Sequence, residues 1–110
     1  GGLGSGPDPT FKLGEVYSFP NPAKAGRHPT IHIEVGVADS INLGIYDIAG
    51  DLVHTTEVPG ERWLIVDNRY CYEYEWDSNS VASGVYIYLI KAQKNGYSDL
   101  KSVKKLAIIK

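Results

Sequence analysis

Residues 41–50, INLGIYDIAG, followed at once by Asp51-Leu52-Val53, constrain this chain more than any other stretch. Ile41, Leu43 and Ile45 alternate with Asn42, Gly44 and Tyr46, a period of two that predicts a strand with one buried face. Asp47 and Gly50 bound its turn. An aspartate carboxylate accepts from the backbone N–H two residues on, and glycine takes the positive φ that a bulged hairpin demands. A second strand, from Leu52 to about Val58, is expected to fold straight back.

The same period recurs along the chain. Residues 30–37 place Ile31, Ile33 and Val35 inward and His32 and Glu34 outward, and Gly36 marks a bulge or a close backbone crossing. Residues 15–19 predict a short strand with Val16 and Ser18 on one face and Tyr17 and Phe19 on the other. Pro20-Asn21-Pro22 ends it, because prolines offer no ladder donor and push the preceding residue to extended geometry. Residues 23–29 read as a polar loop. After the Pro59-Gly60 turn, residues 61–69 read as a short strand or an irregular crossing. In residues 70–76, Tyr70, Tyr72, Tyr74 and Trp76 share the face assigned to the core, while Cys71, Glu73 and Glu75 share the other. Residues 77–84 read as a loop. Residues 85–92, VYIYLIKA, are apolar enough for a central strand buried on both faces. Asn95-Gly96 predicts a hairpin into a terminal strand from about Ser98 to Ile109. No segment carries helical periodicity. About seven short strands with frequent turns make the fold class all-β, an immunoglobulin-like antiparallel β-sandwich.

At 110 residues the chain is long enough for one core and short for an enzyme with its own cleft. Residues 1–10, GGLGSGPDPT, have the composition of a flexible linker or cloning remnant, leaving residues 11–110 as a single domain. The 43% of hydrophobic residues argues against disorder, and eight Tyr and two Trp favour strands as core material. No window reaches the roughly eighteen apolar residues of a membrane span, and no signal peptide opens the chain. The lack of any Met points to part of a longer or trimmed polypeptide. Cys71 is the only cysteine, so neither an internal disulfide nor a thiolate metal cluster is expected, and it reads as a small buried hydrophobe.

Charge is unevenly distributed. Residues 91–110 hold six lysines against one aspartate, net +5, while residues 1–90 hold five bases against twelve acids, net −7. Lysines on an exposed edge strand oppose strand-to-strand aggregation, and they would equally suit an anionic partner. Nucleic acid is a poor candidate for that partner, since the cluster contains no arginine.

Four motifs occur in order: VYSFPNPAKAG, IYDIAGDLV, EWDSNSVASGVYIYLI and a final SVKKLAIIK. Together they resemble the C-terminal sorting domains of proteins exported by the type IX secretion system of Bacteroidetes-type bacteria, and the related flagellar-hook-cap immunoglobulin-like domains. Hook-cap members carry two glycines in the loop after "WD" that residues 77–81 lack, which moves the match toward sorting domains. The motif positions Asn21, Pro22, Tyr46, Asp47, Gly50, Trp76, Asp77, Gly84 and Tyr86 are read as scaffold. The resemblance implies a non-catalytic domain of a secreted or cell-surface bacterial protein, crossing the periplasm. Its implied partners are the outer-membrane secretion machinery and an N-terminal cargo domain in the same polypeptide.

The terminal strand is expected to carry the export signal. Lys101, Lys104, Lys105 and Lys110 would attract an acidic receptor, while Leu106, Ile108 and Ile109 would hold the strand on the sandwich. Two other functional classes make distinct demands on the sequence. An accessory module binding carbohydrate or protein would use exposed rings, for which Trp63 and Tyr97 are the candidates. An enzyme would need a nucleophile and base or paired carboxylates, and no such pattern is present. Asp39, Asp77 and Asn79 lack the acidic density and glycine of a calcium loop. No catalytic residue, metal or cofactor is assigned.

Overall fold

The computed structural model describes residues 6–110. Its strands are β1 (Val16–Phe19), β2 (Ala23–Lys24), β3 (Thr30–Ile33), β4 (Ser40–Tyr46), β5 (Leu52–Pro59), β6 (Leu64–Val66), β7 (Arg69–Glu75), β8 (Gly84–Gln93) and β9 (Leu100–Ile109). A single 3-10 turn, Gly60–Arg62, follows β5. The strands form a four-stranded sheet ordered β1-β3-β7-β6 and a five-stranded sheet ordered β2-β9-β8-β4-β5. All pairings are antiparallel except β2 with β9, which is parallel over two residues. The expected sandwich is therefore present, with two very short edge strands added.

The β4–β5 hairpin forms as its residues dictate. Asp47 Oδ1 accepts from the backbone N–H groups of Ala49 and Asp51, both at 3.0 Å. Gly50 sits at φ 87°, and the register slips by a bulge between Ile45 and Tyr46. Ile41, Leu43 and Ile45 then face the core.

The core lies between the sheets. Ile31, Ile33, Tyr72 and Trp76 enter from one side and Ile41, Leu43, Ile45, Tyr86, Tyr88, Ile90, Leu106 and Ile108 from the other. Trp76 meets Tyr86 edge-to-face, with ring centroids 5.4 Å apart, the arrangement that aligns the positive edge of one ring with the negative face of the other. Trp76 is held in place by its backbone N–H, which donates to Pro29 O at 2.9 Å.

Several expectations change. Residues 23–29 are not wholly a loop, because Ala23–Lys24 pairs with the end of β9. Residues 85–92 are central but buried on one face only: Tyr86, Tyr88, Ile90 and Ala92 point inward, whereas Val85 is 44% exposed, since no third layer covers the outer face. Tyr70 is half-buried rather than core and packs edge-on against Trp63. His32 has the outward parity expected of it, yet is 1% exposed, whereas Cys71 is 0% exposed, buried as expected although it lies on the outer face.

The linker reading of residues 1–10 falls partly outside the described residues. Within them, Pro9 O accepts from Val37 N–H at 3.0 Å, and Phe11 joins the core cluster. Residues 9 and 10 make the close crossing foreseen at Gly36. That glycine has φ 71°, and a Cβ there would lie 2.0 Å from Thr10 O.

Candidate functional site

Alternation along β9 determines which of its side chains anchor and which are displayed. Its antiparallel register with β8 runs from Gly84 opposite Ile108 to Ala92 opposite Leu100. Leu106 and Ile108 are buried beneath the sheet and hold the strand. Lys101, Val103 and Lys105 share the outer face opposite Lys91, Leu89 and Ile87. Lys104 lies opposite Tyr88, so it has the other parity and projects on the other side, exposed beyond the core. Lys104 and Lys105 therefore do not form one patch. The outer patch is Lys101 and Lys105 around Val103, which is 62% exposed, with Lys91 alongside at 3.6 Å from Asp99.

The second edge of β9 is covered only at its C-terminal end. Ala23 and Lys24 of β2 pair with Ile108 and Ile109. Just before them, the Asn21 carboxamide behaves as one further peptide unit: its Nδ2 donates to Lys105 O at 3.3 Å and its Oδ1 accepts from Ala107 N–H at 3.0 Å. Among the described residues no strand pairs with this edge before Ile108. Lys110 is a latch rather than a free cation. Its backbone N–H donates to Ser83 Oγ at 2.8 Å, and its Nζ donates to Ser78 O at 2.8 Å and Asn79 O at 3.1 Å.

The other motif residues act locally. Tyr86 Oη donates to Ala82 O at 2.6 Å, bracing the loop ahead of Gly84. The Tyr46 ring lies over Gly44, where a Cβ would approach it to 3.2 Å. Asp77 Oδ1 accepts from Asn79 N–H at 3.1 Å and lies 3.4 Å from His28 Nε2. Asp39 Oδ2 accepts from Asn95 N–H at 2.7 Å, so the carboxylates weighed for calcium serve separate turns. Pro22 leads directly into β2. Trp63 and Tyr97 are 42% and 59% exposed. They belong to separate clusters, Trp63 against Tyr70 at 5.0 Å and Tyr97 against Phe11 at 5.6 Å.

A polar cluster that sequence reasoning missed lies on the outer face of the four-stranded sheet. His32 and Glu73 are directly opposed on β3 and β7. His32 Nδ1 is 2.8 Å from Glu73 Oε2, and Nε2 is 2.8 Å from Glu34 Oε2. Arg69 Nη1 donates to Glu34 Oε1 at 3.3 Å, and the Tyr17 ring stacks on the imidazole with centroids 4.5 Å apart. Donor atoms of His32, Cys71 and Glu73 all lie within 4.8 Å of one another. Burial, reinforced by the charges of Glu73 and Glu34, pushes the Cys71 thiol up to about 11. Burial would raise Glu34, but hydrogen bonds from His32 and Arg69 outweigh it and leave its carboxyl below the usual range. The legible signal was His-x-Glu on one strand facing Cys-x-Glu on its neighbour, visible only once β3 and β7 are known to pair.

Comparison with known proteins gives three results. The family described as "Secretion system C-terminal sorting domain" matches residues 17–108. No curated protein matches the chain significantly. Among solved structures, the chain is similar to part of chitinase ChiW from Paenibacillus sp. str. FPU-7, described as a bacterial cell-surface-expressed multi-modular enzyme machinery. That likeness has a TM-score of 0.48 and 16% identity, covering 97% of this chain and 9% of that one. The family match runs from β1 almost to the end of β9 and takes in the Asn21 clamp, the Asp47 turn and the Trp76–Tyr86 pair. The chain thus belongs to the type IX secretion C-terminal sorting domain family, whose members mark secreted and cell-surface proteins.

Proposed function

We propose that this domain is a non-catalytic export tag, with β9 as the strand that the outer-membrane secretion machinery engages and a cargo domain on its N-terminal side in the same polypeptide. The observation that carries the reading is the construction of β9. Leu106 and Ile108 anchor one end while Lys101, Val103 and Lys105 are displayed beside an edge that no described strand covers before Ile108. An uncovered edge offers backbone N–H and C=O groups to an incoming strand. Lysines next to it accelerate encounter with an acidic receptor and discourage self-pairing. The non-catalytic part is supported by the family's general character.

Export of a fused reporter in a bacterium with a type IX system tests the proposal. Lys101→Gln with Lys105→Gln should leave stability within about 0.5 kcal/mol, since exposed charges contribute little, and should reduce export. Lys104→Gln, on the opposite parity, should reduce it less. Leu106→Ala should lower both stability and export. A folded Lys101/Lys105 double variant exported at the wild-type level would end the electrostatic part of the proposal.

One observation favours a second reading. A cleft of about 420 Å³ beside Trp63 is lined by Glu57, Pro59, Arg62, Leu64 and Tyr74, a combination of ring and polar groups that suits a sugar. Glycan-array binding that disappears in Trp63→Ala would support it, and a blank array would dismiss it.

A further inference from the structure

We propose that His32, Cys71 and Glu73 form a binding site for one Zn²⁺ ion, with Glu34 orienting the histidine from behind. Imidazole, thiolate and carboxylate together are a borderline-soft donor set, which suits zinc and not calcium or magnesium. The three side chains come from adjacent strands in fixed register and their donor atoms already lie within 4.8 Å of one another.

A zinc-ligating histidine characteristically donates its other ring N–H to a carboxylate, which sets the tautomer and ring angle. Here Nε2 faces Glu34 Oε2 at 2.8 Å, and Glu34 is itself held by Arg69. Nδ1 is left facing Glu73, on the side of the ring from which the ion would be bound. Tyr17 stacked on the ring restrains it further.

Without metal, a proton occupies the ion's place. Two donors around a tetrahedral zinc lie about 3.3–3.6 Å apart, given bonds of about 2.0–2.3 Å. The 2.8 Å spacing of Nδ1 and Glu73 Oε2 must therefore open by roughly half an ångström. Glu73 is only half-buried and can make that shift. Binding expels the proton between Nδ1 and Glu73 and the proton of the Cys71 thiol, two per ion, while the Nε2 proton stays with Glu34. A coordinating thiol must be a thiolate, so binding expels its proton and affinity rises with pH. A cleft of about 270 Å³ lies beside His32, lined also by Glu15, Tyr17, Glu34, Asp67 and Arg69. Water would complete the fourth position.

The test uses the metal-stripped chain titrated with Co²⁺ and Zn²⁺. Cobalt should produce thiolate-to-metal charge-transfer absorption that one equivalent of Zn²⁺ abolishes. Calorimetry in buffers of different ionisation enthalpy should report about two protons released per zinc. Glu34→Gln, which preserves shape, should weaken zinc binding about 10–100-fold while retaining the charge-transfer band. Cys71→Ser should lose the band. His28 with Glu75 and Asp77 offers no thiol, so any metal held there could not mimic this signature. Absence of the charge-transfer band in the folded wild-type chain overturns the proposal without reliance on any variant.

Discussion

Tyr72→Phe removes one oxygen and tests how the two sheets are tied together. The hydroxyl is buried with the rest of the side chain, at 0% exposure. It accepts from Ala38 N–H at 3.0 Å and has carbonyl oxygens of Gly60 at 2.7 Å and Ala38 at 3.3 Å around it. It owns a single proton, which the shorter distance assigns to Gly60. One atom on β7 thereby joins the turn before β4 to the turn after β5. Phenylalanine fills the same space, so no cavity term arises. What is lost is the bond to Gly60, worth about 1 kcal/mol net, together with the cost of stranding the Ala38 N–H away from water, about 1–3 kcal/mol. The expected destabilisation is about 2–4 kcal/mol, which lowers the Tm of a domain of this size by about 10–25 °C. Urea unfolding should show a lower midpoint and an unchanged slope. A loss below about 1 kcal/mol would mean that water reaches the vacated position, refuting the claim that this hydroxyl is a dry inter-sheet tie.

Trp76→Ala should destabilise by about 3–5 kcal/mol, because it deletes the largest ring of the core cluster and its edge contact with Tyr86; chemical denaturation measures this. Asn21→Ala should cost only about 0.5–1.5 kcal/mol, since the carboxamide is exposed, yet amide exchange at Ala107 should accelerate relative to Leu106. Glu34 gives the domain an acid-labile component. Its folded carboxyl titrates below the ordinary value of 4.5, so the stability it contributes is present above about pH 4.5 and lost as pH falls through the folded value. A Glu34→Gln variant should flatten that part of the stability-versus-pH curve, read from Tm between pH 6 and 3.

The features legible in the sequence were those whose causes are local. The β4–β5 hairpin needs only a period of two, an aspartate that can bridge its own turn and a glycine with positive φ, and all three lie within a dozen residues. β2 has no local cause. It consists of an alanine and a lysine following a proline, and it is a strand only because the far end of the chain lies beside it. The Asn21 clamp is hidden for the same reason, with its partners 84 and 86 residues away. Pro9 and Thr10 have linker composition, but their carbonyls fit against a glycine whose missing Cβ leaves room for them.

Alternation predicts the side of a sheet on which a residue lies and says nothing about what covers that side. His32 and Cys71 have outward parity and would face water if their neighbours were short. Instead β1 lies next to β3 and β3 next to β7, so Tyr17 stacks on His32 while Glu34 and Glu73 close around it. Three polar side chains and a ring thus build a second, small interior outside the main core. Local polarity alone predicts the opposite, because a histidine two residues from a glutamate on an alternating strand ordinarily marks a solvated face. The terminal strand shows the converse. The parity that separates Lys104 from Lys105 is fully readable, yet grouping them by adjacency hides that only Lys105 shares a face with Lys101 and Val103. On the proposed role of β9, a receptor reading its outer face would meet the alternate series 101, 103 and 105, and the basic dipeptide Lys104-Lys105 would be divided between two surfaces.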